Sequence, residues 1–370
     1  MNKVLLGDVA EEVRENYKEM DGNPAVVGLE HLIPGEIRLK EWSEDTNTTF
    51  TKAFHKGQVL FGRRRAYLKK AAVAPVDGIC SGDITVISAK QDKILPELLP
   101  FVIQNDDFFD FAVGKSAGSL SPRVKWSRLK EYEFNLPSLS QQRKLAKLLW
   151  SFVDAKEAYE DLIRQTDELV KSQFIEMFGD PVTNNHGWPT IPLKEVAPEY
   201  SPKLPEADSY WWLNLDMIET YSGRLMEKVI ATPEEIGNST STFDATMVLY
   251  SKLRPYLNKV FVPDDCGYAT TELVGLRPNS KILNKYFLFN LLRGDQFVAY
   301  ANGLSSGGQM PRIPMKALRD FKCILPPMEL QEQFVEMSHQ SDKSNFELQY
   351  VKRNVKEMIT CSQKKIQLIR

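Results

Sequence analysis

The chain contains the same sequence pattern twice. Residues 54–142 align with residues 243–331 at a constant offset of 189 without a gap, and 22 of the 89 aligned pairs are identical. Unrelated segments of average composition would match at about one position in seventeen. The period is far longer than the roughly 20 to 50 residues of a solenoid repeat, so the repeating unit is a whole domain. We therefore predict two homologous domains in one chain.

The identical pairs include charged, aromatic, proline and glycine residues as well as apolar ones. This indicates that a structural framework is repeated, while the unmatched positions between the pairs differ. The pairs include Arg65/Arg254, Tyr67/Tyr256, Lys70/Lys259, Gly78/Gly267, Gly118/Gly307, Pro122/Pro311, Arg123/Arg312, Pro137/Pro326 and Gln142/Gln331.

The composition is that of a globular protein with two or three domains. The 370 residues are 42% hydrophobic and 10% aromatic, enough to build real cores. The cysteines (Cys80, Cys266, Cys323 and Cys361) and the four histidines are scattered, which predicts neither a zinc site nor a disulfide framework and favours a reducing cytoplasm. No stretch approaches about 18 uncharged apolar residues, so we expect no membrane-spanning segment.

The net charge of −2 hides a strong polarity within the first copy. Residues 1–51 carry 5 Lys/Arg and 11 Asp/Glu, a net charge of −6, whereas residues 52–130 carry 14 and 7, a net charge of +7. A charge run is most often a solvated surface. A concentrated basic region can nevertheless bind a phosphate backbone on a protein that is neutral overall.

The local patterns predict mixed α/β domains. Apolar, β-branched runs at 58–61, 83–87, 247–250 and 259–262 predict strands. One helix is predicted in each copy after these strands, over 95–113 and over 283–301, closing at Gly114 and Gly303 as C-cap glycines. Similar short elements open the copies at 4–10 and 191–197.

Each copy runs into a long helical pattern. Apolar residues from Leu145 to Leu169 alternate by three and four positions, and no Pro or Gly lies between Ser138 and Phe178, which predicts a helix of about 40 residues, or about 60 Å. A similar pattern, weakened by serines, follows the second copy to the C-terminus. Because isolated helices of this kind are marginal, we expect the two to pack as an antiparallel pair. Glycines and prolines at 178–189 end the first helix.

No motif predicts catalysis or nucleotide binding. The chain lacks an Asn-Pro-Pro-aromatic methyltransferase motif and a glycine fingerprint. The string Gly114-Lys115-Ser116 imitates the end of a P-loop, but Phe109 stands where its first glycine would be, and the segment ends a helix instead of starting one. We interpret Asp264, Asp265 and Glu272 as surface carboxylates.

Several strings together resemble the specificity subunits of type I restriction-modification systems. They are Val27-Gly28-Leu29-Glu30-His31 with Pro34-Gly35, Ser81-Gly82-Asp83-Ile84, Ser119-Leu120-Ser121-Pro122-Arg123, the Leu-Pro runs into Gln142 and Gln331, and Phe178-Gly179-Asp180-Pro181 before Gly187-Trp188-Pro189. The resemblance covers essentially the whole chain. The second copy departs from it at 213–216, so we expect His31 to be a structural or loop residue.

The resemblance implies a non-catalytic subunit with two target recognition domains, each reading half of a split DNA sequence, and two antiparallel helices that set the spacing. It implies domains over 1–137 and 191–326, a central helix over 138–178, a linker over 179–190 and a C-terminal helix over 327–370. Expected partners are double-stranded DNA, two methyltransferase subunits and restriction/translocase subunits, and no membrane. No cofactor is expected on this chain, whereas S-adenosylmethionine, ATP and Mg are expected on the partner subunits.

Two groups of residues are candidates for DNA contact. Residues identical in both copies suit scaffold or phosphate roles better than base discrimination, and polar glycine-containing loops suit base readout. For phosphate contact we predict Arg63, Arg64, Arg65, Lys69 and Lys70 in the first copy and Lys252, Arg254 and Lys259 in the second. For the loops we predict Lys115, Ser116, Ser119, Ser121, Arg123 and Lys125, and Ser305, Ser306, Gln309 and Arg312.

Other interpretations stay open at this point. The chain could be the specificity subunit of a related restriction-modification class, or a coiled-coil scaffold with two protein-binding lobes and no DNA contact. A self-contained DNA-modifying enzyme would need S-adenosylmethionine binding by this chain alone.

Overall fold

The computed structural model describes residues 2–17, 24–238 and 240–341, together with residues 348, 351, 354, 355, 357 and 358. The chain divides into two compact units. The first comprises Met1–Glu160 and Gln349–Arg370, and the second comprises Asp161–Leu348.

The first unit has three sheets among its described residues. In the four-stranded antiparallel sheet the order is β2-β8-β5-β6, in the three-stranded sheet it is β3-β7-β4 with β3 parallel to β7, and β1 pairs with β9. The elements are β1 (Asn2–Leu5), α1 (Leu6–Val9), β2 (Ala10–Val13), β3 (Ala25–Val27), β4 (Lys52–Phe54), β5 (Val59–Gly62), β6 (Ala71–Val73), β7 (Gly78–Cys80), β8 (Ile84–Ala89), α2 (Leu99–Ile103), α3 (Asp106–Gly114), α4 (Trp126–Leu129), β9 (Glu133–Leu136) and the long helix α5 (Leu139–Phe178), with 3₁₀ turns at Leu29–His31 and Ala66–Leu68.

The second unit repeats this plan over its described residues. Its sheets have the orders β15-β14-β17, β12-β11-β16-β13 and β10-β18. The elements are β10 (Thr190–Pro192), α6 (Leu193–Val196), β11 (Tyr210–Leu213), β12 (Val229–Ala231), α7 (Pro233–Ile236), β13 (Thr240–Phe243), β14 (Val248–Ser251), β15 (Val260–Phe261), β16 (Gly267–Thr270), β17 (Leu273–Leu276), α8 (Lys285–Arg293), α9 (Asp295–Leu304), α10 (Met315–Asp320) and β18 (Lys322–Ile324), with 3₁₀ turns at Leu215–Met217 and Pro255–Leu257.

A central strand divides each unit into two hydrophobic cores. Successive side chains of a strand point to opposite faces. Val59 and Phe61 of β5 therefore pack into one core, whereas Leu60 packs into the other. The strands predicted at 58–61, 83–87, 247–250 and 259–262 are confirmed as β5, β8, β14 and β15.

The pairs Phe54/Phe243 and Gly78/Gly267 are identical because they touch. A Cβ atom on Gly78 would lie 2.6 Å from the Phe54 ring and 2.2 Å from the carbonyl oxygen of Ala25, and a Cβ on Gly267 would lie 2.9 Å from the Phe243 ring. The buried ring and the missing side chain thus depend on each other in both units.

The prediction of a single helix in each copy is wrong, because two consecutive helices occupy that segment in each unit, α2 and α3 in the first and α8 and α9 in the second. In the first unit α2 ends at Ile103, and α3 begins after Asn105, whose side chain accepts a hydrogen bond from the backbone N–H of Asp107. The predicted C-cap glycines are also wrong. Gly114 is the last helical residue of α3, and Gly303 lies inside α9.

Helix α5 has 40 residues, as predicted, but its buried face is shifted from the predicted seam. Leu148, Leu162 and Leu169 are 47%, 45% and 55% exposed, whereas the buried line in the first unit passes through Gln142, Ala146, Leu149, Val153 and Lys156. The helix packs against its domain as well as a partner helix, and Gln142 fixes its rotation. The side chain of Gln142 donates to the carbonyls of Lys93 and Pro137 and accepts from the N–H of Leu95.

The second unit contains the same anchor. Gln331 donates to the carbonyls of Ile282 and Pro326 and accepts from the N–H of Asn284. All three partners are at the same offset of 189 residues as in the first unit. The glutamines are therefore identical because each closes the same buried hydrogen-bond network at the start of a helix.

The C-terminal helix is described over residues 328–341, and most of its predicted continuation lies outside the described residues. In the second unit the Phe334 ring packs at 5.3 Å from Phe174 and 5.6 Å from Phe178, near the end of α5. In the first unit Val355 shares a core with Leu149 near the start of α5. The order along the two helices is reversed, which agrees with the predicted antiparallel pair.

An ion-pair network joins α5 to the segment 36–40 in the first unit. The ammonium of Lys156, whose side chain is 10% exposed, lies 2.6 Å from a Glu36 carboxylate oxygen. Lys40 bridges Glu36 and Glu160 at 2.9 and 2.8 Å. Arg38 pairs with Glu157 on the same helix. These contacts fix the domain on the helix through charge as well as apolar packing.

Two of the described cysteines are buried. Burial raises the pKa of the Cys80 and Cys323 thiols to about 12, whereas Cys266 is half-buried in a turn. Among the helices of the described residues, none has an apolar stretch long enough to cross a membrane.

Candidate nucleic-acid interface

The predicted phosphate contacts lie on a tight turn, which we name the basic turn, residues 63–70 in the first unit and 252–259 in the second. In the first unit its 3₁₀ segment is flanked by Arg65 and Lys69 in left-handed conformation, with φ of 53° and 51°. In the second unit Arg254 and Asn258 flank it with φ of 49° and 47°. Non-glycine residues in this conformation cost on the order of 1 kcal/mol each. The same strained backbone is therefore maintained twice.

The predicted readout residues lie on a second segment, which we name the glycine loop, residues 115–125 and 304–312. Ala117 and Arg123 exchange two backbone hydrogen bonds of 2.9 Å across it, as Ser306 and Arg312 do in the second unit. Gly118 and Gly307 have φ of 112° and 114°, which favours glycine. This conformation explains their identity in the two copies.

The basic turn and the glycine loop are joined in each unit. The N–H of Arg65 donates to the carbonyl of Pro122 at 2.8 Å, and the N–H of Arg254 donates to Pro311 at 2.7 Å. Val124 donates to the carbonyl of Arg63 at 3.0 Å. The two groups of predicted residues, which are about 50 positions apart in sequence, therefore form one surface in each unit.

A carboxylate lies behind this surface and holds an arginine of the glycine loop. Arg123 donates to both oxygens of Asp83 at 2.7 and 3.2 Å, and Arg312 donates to Glu272, the residue equivalent to Asp83, at 2.8 Å. The hydrogen bond from Arg123 holds the pKa of the Asp83 carboxyl below its usual value, and that from Arg312 does the same for Glu272. Arg123 and Arg312 are thus largely neutralised by the protein and shape the loop.

Three predicted lysines also have partners within the protein. The ammonium of Lys70 donates to the carbonyl of Leu29 at 2.7 Å, and Lys259 donates to Leu215 at 2.6 Å. Burial lowers the pKa of Lys259. The ammonium of Lys69 lies 2.5 Å from a carboxylate oxygen of Asp106. Lys70 and Lys259 therefore tie the basic turn to the 3₁₀ turn that follows β3 or β11.

His31 stabilises that same 3₁₀ turn, where its Nδ1 accepts a hydrogen bond of 3.0 Å from the N–H of Gly28. The Sδ of Met217 accepts from the N–H of Asn214 at 3.3 Å in the second unit. His31 therefore has a structural role, as expected, and Asn214 takes the place of Gly28.

The serines of the glycine loop differ in their surroundings. The hydroxyl of Ser116 donates to the carbonyl of Ala112 at 2.8 Å, at the end of α3. The hydroxyl of Ser305 donates to the carbonyl of Ala301 at 2.7 Å, at the end of α9. The hydroxyl of Ser121 accepts from Nε of Arg64 at 2.6 Å. These contacts hold the loop in shape.

Other predicted cations border the loop. Lys115 lies 3.7 Å from Glu131, and its ammonium lies over the Phe111 ring at 5.4 Å. Arg254 donates to the carbonyl of Gln309 at 3.3 Å, and the charge of Lys252 helps to lower the pKa of Glu272.

Comparison with known proteins agrees with this geometry. The family model of the type I restriction modification DNA specificity domain matches residues 6–165 and 238–356, more than half of the chain. The chain belongs to this family. The resemblance predicted from the sequence is confirmed.

Individual relatives are distant. The type I restriction enzyme EcoDI specificity subunit of Escherichia coli is 28% identical over 145 residues, which cover 36% of this chain and 31% of that protein. The chain therefore matches about a third of the length of that curated relative.

Two solved structures show the fold. One, described as the structural basis of complex assembly and conformational transition of the type I R-M system, is 19% identical with a TM-score of 0.52 and covers 99% of this chain and 97% of that chain. The S subunit of a type I restriction-modification system from M. genitalium is 12% identical with a TM-score of 0.58 and covers 100% and 96%. The predicted fold class, two homologous α/β domains with long antiparallel helices, is confirmed.

Some of the residues predicted to contact DNA have side chains without a hydrogen-bond or ion-pair partner among the described residues. Among the described residues, the side chains of Arg65, Ser119 and Lys125 make no hydrogen bond or ion pair. Nε of Arg63 and Nε of Arg254 are buried without a partner in the same part of the chain. Arg65, Ser119 and Lys125 are therefore available to a ligand.

Several residues of this surface were not predicted from the sequence. Leu120, at the apex of the glycine loop, is 92% exposed. Asp83 and Glu272 organise the loop, and an acidic residue at the same place in both copies was a signal that could have found them. In the part of the chain that the structure describes, no group of three or more His, Cys, Asp or Glu side chains is placed to hold a metal.

Proposed function

We propose that the chain is a non-catalytic, sequence-specific DNA-binding subunit that directs type I methyltransferase and restriction subunits to a bipartite target. The observation that carries the proposal is the repeated surface of basic turn and glycine loop. Its framework is the same in both units, whereas the apex differs, with Leu120 in the first and Gln309 in the second. An identical framework that carries different apex residues suits two domains that recognise different half-sites.

The proposal assigns one half-site to each domain, residues 1–137 and residues 191–326. The helices over 138–178 and 327–370 would set the spacer, and 179–190 would link the first of these helices to the second domain. Half-sites about 34 Å apart lie on one face of a duplex and suit two rigidly mounted domains. Each mismatched base pair costs roughly 1 to 3 kcal/mol of binding free energy, and the costs in the two half-sites add. Two short half-sites together therefore discriminate strongly between target and non-target DNA.

The side chains without protein partners are the best candidates for DNA contact. Arg65 and Lys125 would neutralise phosphates, and Ser119 with the apex residues would meet base edges. Arg123 and Arg312 would act mainly by holding the loops, because their charges are balanced by Asp83 and Glu272. The contacts to bases would then come from positions that differ between the copies.

The proposed partners follow from this role. Two methyltransferase subunits would bind S-adenosylmethionine and methylate adenine, and restriction/translocase subunits would bind ATP and Mg. No cofactor is assigned to this chain, and the proposed location is the cytoplasm.

The test is selection of DNA from a random duplex pool by the chain assembled with methyltransferase subunits. Enrichment of one split motif with a fixed spacer supports the proposal, and the same pool with the methyltransferase subunits alone is the control. No enrichment would favour the scaffold with two protein-binding lobes. Tight S-adenosylmethionine binding by the isolated chain, measured by equilibrium dialysis, would contradict the non-catalytic role.

A further inference from the structure

An exposed tyrosine occupies the middle of the basic turn in both units. Tyr67 is 54% exposed and Tyr256 is 43% exposed. Neither hydroxyl has a hydrogen-bond partner among the described residues. Apart from Phe54/Phe243 and Phe108/Phe297, this is the aromatic pair that is identical between the aligned copies, and those phenylalanines are fully buried. Core packing therefore explains the phenylalanines but does not explain the tyrosines.

The backbone around each tyrosine is held in one conformation. Of the six non-glycine residues with positive φ in the described part of the chain, four flank these two turns. Buried Ala66 and Pro255 fix the turns from below, and the hydrogen bonds from Arg65 to Pro122 and from Arg254 to Pro311 fix them to the glycine loops. Strained residues that are held so firmly are typical of binding sites. The backbone of the basic turn therefore holds each tyrosine in one position.

The charge around the tyrosines favours an anionic partner. Residues 63–70 contain five Lys or Arg and no Asp or Glu, and residues 252–259 contain three and none. Lys69 is paired with Asp106, and Arg64 lies 3.5 Å from Asp83. Lys70 and Lys259, however, donate to uncharged backbone carbonyls, so their positive charges are not cancelled by a carboxylate there. A tyrosine hydroxyl is a hydrogen-bond donor, and donors of this kind commonly bind phosphate oxygens of DNA.

We propose that Tyr67 and Tyr256 donate their hydroxyls to phosphates of the DNA backbone, one in each half-site. This rests on the proposed function. The two domains recognise different bases, so a residue that is the same in both serves a contact that is the same in both, and the phosphodiester backbone is the part of DNA that does not change. The contact sets how each domain lies on the duplex and brings the neighbouring loop apex to the bases.

The test removes only the hydroxyl. Tyr67→Phe, Tyr256→Phe and the double variant are assembled with the methyltransferase subunits, and their affinities are measured on the selected target and on a duplex without it, at several salt concentrations. Each single variant is expected to lose roughly three- to tenfold in affinity on both DNAs, because a hydrogen bond to a charged group is removed. The slope of log K against log salt stays the same, since no cation is lost, and the selected motif does not change.

Tyr159→Phe is the matched control. Tyr159 lies on helix α5, outside the basic turn, and its hydroxyl, like those of Tyr67 and Tyr256, has no hydrogen-bond partner among the described residues. Its variant is expected to bind DNA like the unmodified chain. Thermal melting of all four variants checks that the fold is retained.

Three results would overturn the proposal. A loss on the target alone would assign the hydroxyls to base readout. Weaker assembly with the methyltransferase subunits at unchanged DNA affinity would assign the tyrosines to a protein contact. A double variant that binds both DNAs as tightly as the unmodified chain would remove the contact altogether. Failure of the unmodified complex to select any motif is a different result, and it would contradict the proposed function itself.

Discussion

At the scale of single residues, Asp83 and Glu272 determine what the repeated arginines can do. Their pKa values lie below the ordinary range because of the hydrogen bonds from Arg123 and Arg312. A carboxyl whose pKa is lowered by folding adds stability above its unfolded pKa of about 4, and that stability is lost as the pH falls through the folded value. Both pairs are therefore complete at neutral pH.

We predict that Asp83→Asn weakens discrimination while it strengthens binding to non-target DNA. The change removes the negative charge that pairs with Arg123 at the proposed DNA-binding surface and frees Arg123 for phosphate contact. Affinity for a random duplex should therefore rise by about three- to tenfold at low salt and show a steeper salt dependence. Glu272→Gln should do the same in the second unit. Competition binding at several salt concentrations measures both effects, with the exposed Asp92→Asn as the control. An unchanged ratio of target to non-target affinity would contradict this role of Asp83.

At the scale of the element, helix α5 is positioned by buried polar contacts as much as by its apolar seam. Gln142 is 1% exposed and Gln331 is fully buried, and each satisfies three backbone groups. Lys156 and Glu36 add a charged contact further along the helix. These contacts fix both the rotation of the helix and the domain that rests on it.

Gln142→Leu is expected to destabilise the first unit by about 2 to 4 kcal/mol, because it leaves one buried N–H and two carbonyls without partners. Gln331→Leu should cost a similar amount in the second unit, since its three bonds are the same. Chemical denaturation measures both. Gln165→Leu, at an exposed position of the same helix, is the control and should have little effect. A small effect at Gln142 would show that solvent replaces its bonds.

Glu36→Gln is expected to lower the free energy of unfolding by about 2 to 3 kcal/mol, because it leaves the nearly buried Lys156 ammonium without its closest carboxylate. Glu160, at 3.6 Å, remains as a weaker partner. The double variant Glu36→Leu with Lys156→Met should recover most of the loss, and Arg164→Ala in an exposed ion pair should leave stability unchanged. If the double variant is no more stable than Glu36→Gln, the cost does not come from the unpaired charge.

Much of the element pattern was predictable from the sequence, because β-branched apolar runs and the absence of Pro and Gly act locally. The length of α5 and the strands β5, β8, β14 and β15 follow from such signals. The break between α2 and α3 was not predicted, since the Asn105 cap interrupts a continuous apolar pattern. The rotation of α5 about its axis was not predicted for a related reason. The buried face was predicted from apolar residues alone, and Gln142 on that face is polar.

The surface was predictable in part. The sequence identified the basic turn and the glycine loop, but it could not show that Arg123, Lys70 and Lys259 have partners within the protein. Those partners, Asp83 and two backbone carbonyls, are about 40 residues away in the chain. The sequence gives the sign of each side-chain charge, whereas the pairing of that charge depends on tertiary contacts.

At the scale of the whole molecule, the repeat makes the proposed recognition modular. We predict that exchange of residues 1–137 for the first domain of another family member changes one half of the methylated motif and leaves the other half and the spacer unchanged. Sequencing of methylated adenines in cells that carry the hybrid measures this, and cells with the unmodified chain are the control. A change in both halves would show that the two domains do not recognise DNA independently.

The cysteines offer a route to observing the molecule in solution. Thiols with a pKa near 12 hardly form the thiolate at neutral pH, so Cys80 and Cys323 should resist maleimide reagents while the fold is intact. With Cys361 replaced by serine, Cys266 becomes the site at which a fluorophore attaches to the native protein. Slow labelling of the two protected thiols would then report local opening of either core.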